Sequence, residues 1–326
     1  MKKFLITGGQ ERKGNVEYEG WRGSCAGKLL RVDFDTGKTE ELVVLDQGGD
    51  NYPDDNPNLL FTAATLDGDT LWLCSETEAF EYSYPQLELK RKASYPCFQN
   101  IHHVATYGEN IAVVSTGLDM VVLLSKETLE PVSYINVEGK DAWHRFSCDV
   151  DYRKIHSTKP HDSHPNLVFN LDGDLWATRF IQRDAVMLGN ASCKISVSDK
   201  CGIHDGHVVG GEIYFTSVNG AVIIVDLAER KVKERISLRE IEGVSIPLAW
   251  CRGLHIDGDI AYVGFSHLRP TKLMDNIRWA RNYVASKGAL TKTRIVAYDL
   301  KKKKKVGECF MPKNSVSSIY SIIGVQ

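Results

Sequence analysis

The sequence predicts an all-β fold, a β-propeller of six blades, and three observations predict it. A hairpin unit recurs five times, further strand-like runs come in pairs after the hairpins, and the two ends of the chain carry the pieces of one more unit. A hairpin plus two strands makes four, the number of strands in a propeller blade, and repeats spaced by about 40–50 residues mark such arrays. An α/β reading fits poorly, because parallel strands need a helix between them and only one segment has clear helical periodicity. Residues 1–326 are therefore expected to form one propeller domain.

Taken in chain order, Phe4–Thr7 reads as a strand, followed by Lys28–Asp35 and Thr39–Leu45. Their missing inner partner is Ser317–Gly324, so pairing of the two termini would close the ring and remove the exposed edges that make open sheets adhesive. The hairpins are 61–74, 103–114, 167–177, 207–215 and 254–263, each turning at Asp-Gly, Gly-Gly or Tyr-Gly, which supply the positive φ that tight hairpins need. Runs such as Met120–Ser125 with Pro131–Val137, and Ala221–Leu227 with Val232–Leu238, complete blades.

The turn glycines fall at 68, 108, 173, 211 and 258, in steps of 40, 65, 38 and 47 residues. The single oversized step holds an insertion at 138–163, a polar loop with Trp143, His144, His156 and His161 and with His164 at its edge; a short blade within it would raise the count to seven. A second insertion, 268–292, contains Leu273–Ala285, whose apolar spacing suits a helix packed on one face, as a lid or a brace.

Composition narrows the function. With 43% hydrophobic and 25% charged residues the chain is that of an ordinary globular protein. Forty Lys and Arg against 42 Asp and Glu give a net charge of −2, which offers no general field for nucleic acid or an anionic membrane. Lys301 to Lys305 sit between two strand-like runs and read as a solvated turn. No window approaches the roughly 18 apolar residues of a membrane span, and Met1–Gly9 has too few apolar residues for a signal-peptide core. The eight cysteines form no C-x-x-C pair and read as free thiols, which suits a reducing cytoplasm.

The chemistry sits with the histidines. The innermost strand of each blade lines the central channel, so residues at its start ring one opening. His102 and His103, His204, and Arg252 precede their turn glycines by five to seven residues. His161-Asp-Ser-His164 lies just before its strand, and His204-Asp-Gly-His207 repeats its pattern 43 residues later. Seven of the ten histidines (102, 103, 161, 164, 204, 207 and 255) fall at or beside these openings.

Imidazoles converging from different blades would hold a divalent metal (Fe, Mn or Zn) and leave a position for water or substrate. His102, His161, His164, His207 and His255 are the candidate ligands, with Asp162 and Asp205 as acceptors that orient ring N–H groups. The catalytic candidates are His103, His204 and Arg252. Used without metal, two His and an Arg could abstract a proton beside a carboxylate that Arg252 holds, the logic of a lyase or isomerase on an acidic sugar. The same residues could instead bond turn backbones, and Arg252 could bond the carbonyls of a neighbouring blade.

Arg252-Gly-Leu-His-Ile-Asp-Gly-Asp259, Val263-Gly-Phe-Ser266, Asn100-Ile-His-His103 and Ser115-Thr-Gly-Leu-Asp119 resemble segments of an uncharacterised family of bacterial β-propeller-like proteins of unknown function. That resemblance implies the fold. More distantly, the His-lined channel is similar to those of metal-dependent propeller enzymes such as carotenoid-cleaving oxygenases, which are much longer, and oligogalacturonate lyases. The expectation is thus a cytoplasmic propeller whose His-rich opening binds a small molecule, anionic or carbohydrate, through a divalent metal, with no nucleic acid or membrane partner. The alternatives are the metal-independent lyase or isomerase and a non-catalytic interaction scaffold, since the fold does not fix the function.

Overall fold

The computed structural model describes residues 2–12, 23–197, 201–244, 248–267 and 292–325. Six four-stranded antiparallel sheets stand in a ring. Their strands are β1 (Lys3–Glu11), β2 (Ser24–Asp33) and β3 (Thr39–Leu45); β4 (Ala63–Asp67), β5 (Thr70–Cys74), β6 (Ala79–Ser83) and β7 (Leu89–Ala93); and β8 (Ile101–Tyr107), β9 (Asn110–Ser115), β10 (Met120–Ser125) and β11 (Pro131–Asn136). There follow β12 (Pro165–Leu171), β13 (Asp174–Arg179), β14 (Asp184–Met187) and β15 (Asn190–Ser196); β16 (Ile203–Val209), β17 (Glu212–Ser217), β18 (Ala221–Asp226) and β19 (Lys231–Ser237); and β20 (Trp250–Asp257), β21 (Ile260–Ser266), β22 (Arg294–Asp299), β23 (Lys304–Phe310) and β24 (Ser318–Val325).

The blade count is six, and no seventh hides in 138–163. Strand β24 pairs with β1, from Lys3 opposite Val325 to Gly9 opposite Ser318, and with β2 and β3 makes the closing blade from both ends of the chain. The inner strands β4, β8, β12, β16, β20 and β24 touch one another in turn and return to the start. Gly68, Gly108, Gly173, Gly211 and Gly258 have φ between 55° and 90°, the left-handed region the hairpin turns require.

The apolar side chains are shared between blades. Each of six buried clusters joins one sheet to the next; Trp72 and Cys74 meet Ile101 and Val113, for example, while Phe4, Leu30 and Ile319 of the closing blade meet Tyr262 and Ile295. Burying both faces of every sheet in this way makes the ring a single cooperative stack. Strands β9, β10, β18 and β22 are buried along nearly their whole length, whereas the outermost strands are largely exposed or half-buried. The exposed apolar residues Val44, Leu89, Val132, Val232 and Val306 lie on outermost strands of five different blades, so they are spread around the rim.

The 138–163 insertion is a folded loop with one 3-10 turn at Tyr152–Lys154. Tyr152, with Trp143 and Phe146 beside it, packs on the cluster between the β4–β7 and β8–β11 blades. The helix expected within 268–292 lies outside the described residues up to 291; a short helix not expected from the sequence, α1 (Leu238–Ile241), follows β19. The five lysines 301–305 occupy the exposed turn from β22 to β23 and its start. None of the eight cysteines is joined in a disulfide, and Cys74, Cys97, Cys251 and Cys309 are buried as small apolar residues. Among the described residues no helix is long and apolar enough to cross a membrane.

Candidate functional site at the channel

Five of the six inner strands carry an irregularity near the same end. In β8 the register steps from Ile101 opposite Ser115 to His103 opposite Val114, which leaves His102 as an extra residue. In β12 the step falls between Pro165 and Val168, in β16 between Ile203 and Gly206, in β20 between Arg252 and Leu254, and in β24 between Ile319 and Ile322. Strand β4 pairs with β5 without interruption. A bulge strips one N–H from the ladder and re-aims the neighbouring side chains, and in three of the five the stripped N–H is caught by a buried threonine of the next strand. Leu167 N–H donates to Thr178 Oγ1 (3.0 Å), Asp205 N–H to Thr216 Oγ1 (3.2 Å) and Ser321 N–H to Thr7 Oγ1 (3.0 Å).

The bulges put His102, Asn166, His204 with Asp205, Arg252 with Gly253, and Tyr320 at one level of the channel. The ring of His102 lies 5.6 Å from that of His204 and 5.2 Å from that of His164, and His164 stacks on His161 at 4.9 Å with their Nδ1 atoms 2.6 Å apart. Arg252 lies over Tyr320, 4.7 Å from the ring centroid, makes no ion pair among the described residues, and leaves its Nε without a partner.

His161 and His164 reach this group because of Asp119. Its buried carboxylate, on a residue with φ of 53°, accepts the N–H groups of Asp162 (2.8 Å), Ser163 (3.0 Å) and His164 (2.7 Å) and pairs with Arg145 (3.1 Å). His164 itself has a φ of 55°, strained for a residue with a side chain and held there by this carboxylate. Asp162, expected to orient an imidazole, instead faces outward to Arg145 at 3.0 Å. Backbone geometry explains the difference: the main chain of 162–164 wraps the Asp119 carboxylate, which directs the Asp162 side chain away from the ring stack.

Protonation follows from the partners. His204 donates Nδ1–H to Asp205 Oδ2 (3.0 Å), which also accepts Gly253 N–H (2.7 Å). His102 donates Nδ1–H to the Asn100 carbonyl (3.0 Å). Both are thereby fixed in the tautomer whose Nε2 carries a lone pair, and His204 Nε2 is buried with no partner. The Asn166 amide gives Nδ2–H to the Ile203 carbonyl (3.2 Å) and leaves Oδ1, also buried, unpartnered. Burial, then the neighbouring imidazoles, holds His102 and His164 well below the usual imidazole range, and burial lowers His204 against the pull of Asp205. Burial pushes the Asp205 carboxyl up, but His204 and the Gly253 N–H outweigh it and the net shift is downward. At neutral pH the group is thus a set of neutral imidazoles beside one carboxylate and one guanidinium.

His103, His207 and His255 behave differently. Each turns Nδ1 to the inner strand of the next blade and accepts a backbone N–H there: Val168 (3.5 Å), Ile256 (2.8 Å) and Gly324 (3.3 Å) respectively. Their protons therefore sit on Nε2, which suits them to donate hydrogen bonds and not to ligate through that atom. His207 and His255 stack on each other at 5.0 Å. All three line a chamber of about 430 Å3, together with Asp205 and Tyr320. Of the eight residues singled out by sequence, His102, His161, His164, His204 and Arg252 thus form one group, and His103, His207 and His255 form another further along the channel.

Asn166 and Asp119 were not legible as site residues. A buried threonine on the second strand of a blade, as at Thr7, Thr178 and Thr216, is a sequence signal that marks three of the bulges. Among the described residues no set of three or more His, Cys, Asp or Glu side chains is arranged to hold a metal ion as it stands.

No protein-family model matches the chain, and no curated protein does. Solved structures match in fold. A protein of unknown function from Bacteroides caccae is 13% identical over 100% of this chain and 99% of its own, with a TM-score of 0.60. A chain in a nidogen/laminin complex is 9% identical, covering 99% and 98% of the two chains, with a TM-score of 0.59. At such identities the likeness establishes the propeller alone.

Proposed function

We propose that the bulge-level ring is a divalent-metal site of a small-molecule enzyme or binding protein, with His102, His164 and His204 as ligands through nitrogen, the Asn166 amide oxygen beside them and His161 behind His164. The observation that carries this reading is the buried, unpartnered Nε2 of His204 backed by Asp205 on Nδ1, the arrangement that orients ligating imidazoles. Two imidazoles bound to one ion at about 2.1 Å have centroids roughly 4.5–5.5 Å apart, close to the 5.2 and 5.6 Å found here. Binding would need the rings to turn on side chains already so spaced. Neutral N/O donors of this kind suit Fe, Mn or Zn, and a bound ion would supply Lewis acidity to a substrate oxygen or water. Eight cysteines without a disulfide support a reducing compartment such as the cytoplasm.

The test is elemental analysis of purified protein and calorimetric titration of chelator-stripped protein with Fe2+, Mn2+ and Zn2+. One ion per chain, lost in H102A and H204A variants that still fold, is expected; intact protein that binds none of the three defeats the reading. Arg252, stacked on Tyr320 without a carboxylate partner, favours a second reading in which it holds a substrate carboxylate while His204 takes a proton without metal. The depressed imidazoles argue against it, because a general base works best with a pKa near the operating pH.

A further inference from the structure

The chamber beyond the ring has a different character from the ring itself. Three of its lining residues present Nε2–H donors that bond nothing among the described residues, because each Nδ1 is committed to a neighbouring strand. Asp205 Oδ2 is occupied by His204 and Gly253, while Oδ1 accepts no hydrogen bond among the described residues. Leu167, Phe169, Leu254 and Ile322 supply apolar walls, and among the described residues neither Lys nor Arg lines the chamber.

We propose that this chamber binds a neutral sugar ring, with hydroxyls accepting from His103, His207 and His255 and donating to Asp205. Charge selects this class. An anion would meet the Asp205 carboxylate with no cation in the lining to offset it. A cation would meet three N–H donors that the blade-to-blade bonds prevent from turning round. A hydroxyl both donates and accepts, so a polyol satisfies donors and acceptor together, and its C–H face lies on the apolar walls. A volume of about 430 Å3 falls at the small end of ligand pockets, suited to one or two rings. The assignment rests on reading the channel as a small-molecule site, but it does not depend on the metal.

The experiment uses the full chain, with and without chelator, and saturation-transfer NMR and calorimetry with D-glucose, D-galactose and N-acetylglucosamine, against D-glucuronate and inorganic phosphate. At least one neutral sugar should bind, and should still bind the chelated protein, whatever the elemental analysis gives. His207→Asn keeps an acceptor for Ile256 N–H but withdraws the donor from the chamber, and should weaken binding about tenfold; His207→Gln, which restores a donor at the Nε2 position, should recover much of it. Leu254→Trp should abolish binding by filling the space without touching a polar group. Glucuronate or phosphate binding more tightly than every neutral sugar, binding unchanged in both His207→Asn and Leu254→Trp, or no saturable binding of the three neutral sugars would each overturn the assignment.

Discussion

His255 joins the inner strand β20 to β24, the strand that the C-terminal end of the chain contributes to ring closure, by accepting Gly324 N–H on Nδ1. Only a neutral imidazole can do so. Burial, then the stacked His207 and the nearby Lys2, push its pKa down to about 4, against the opposing pull of Asp257. In the unfolded chain the ring titrates near 6.5. Above that pH neither state is protonated and the bond to Gly324 is fully present. As the pH falls below 6.5 the unfolded chain takes up a proton that the folded one refuses, so stability declines until about pH 4, where the folded ring is protonated as well. The slope from this one group approaches about 1.4 kcal/mol per pH unit, or about 2–3 kcal/mol between pH 7 and pH 4.5. His255→Asn retains an acceptor at the position of Nδ1 and removes the titration. Urea unfolding of both proteins at pH 7 and pH 4.5, with chelator present, isolates the effect, because the other titrating groups cancel in the comparison. The variant should lose about 2–3 kcal/mol less than the parent over that interval. An equal loss in the two proteins would show that His255 does not act as a neutral latch, and the same account of His103 and His207 would fall with it.

Two further predictions concern the ring. Thr216→Val removes the hydroxyl that accepts the bulge N–H of Asp205 and leaves that donor buried, so chemical unfolding should show a loss of about 1–3 kcal/mol, against little change for Thr106→Val, a partly buried threonine on the inner strand β8 without a bulge partner. Asp119→Ala strands three backbone N–H groups and leaves Arg145 with Asp162 as its one carboxylate among the described residues, which should cost about 3 kcal/mol or more and speed amide exchange at 162–164 well beyond the rest of the chain; slow exchange there in a folded variant would mean that something other than Asp119 holds His164.

The repeat was legible because its signals are local. A hairpin turn needs positive φ at fixed positions and a strand needs apolar alternation, and both can be read within a dozen residues, so blades, their order and the pairing of Phe4–Thr7 with Ser317–Gly324 all followed. Clustering of histidines at strand starts was legible for the same reason. Their division was not. His102 and His103 are adjacent, yet one joins a ring that holds unpartnered acceptors while the other braces the next blade, because the register slips by one residue between them. In the sequence Asp119 is only the end of a Ser-Thr-Gly-Leu-Asp run and Asn166 stands in no motif, since the side-chain partners of both lie more than 25 residues away.

Composition and periodicity by themselves determined a closed ring of four-stranded sheets with imidazoles near its axis, since each blade is a local pattern repeated. Which imidazoles share a space, which nitrogen of each carries the proton, and where a chamber remains between them were decided by cross-strand register, at His102 and His204 by the carbonyl and carboxylate that the bulges bring alongside, and at His103, His207 and His255 by backbone N–H groups from the next blade. Those partners act through distances of about 3 Å that exist only once the chain has closed on itself.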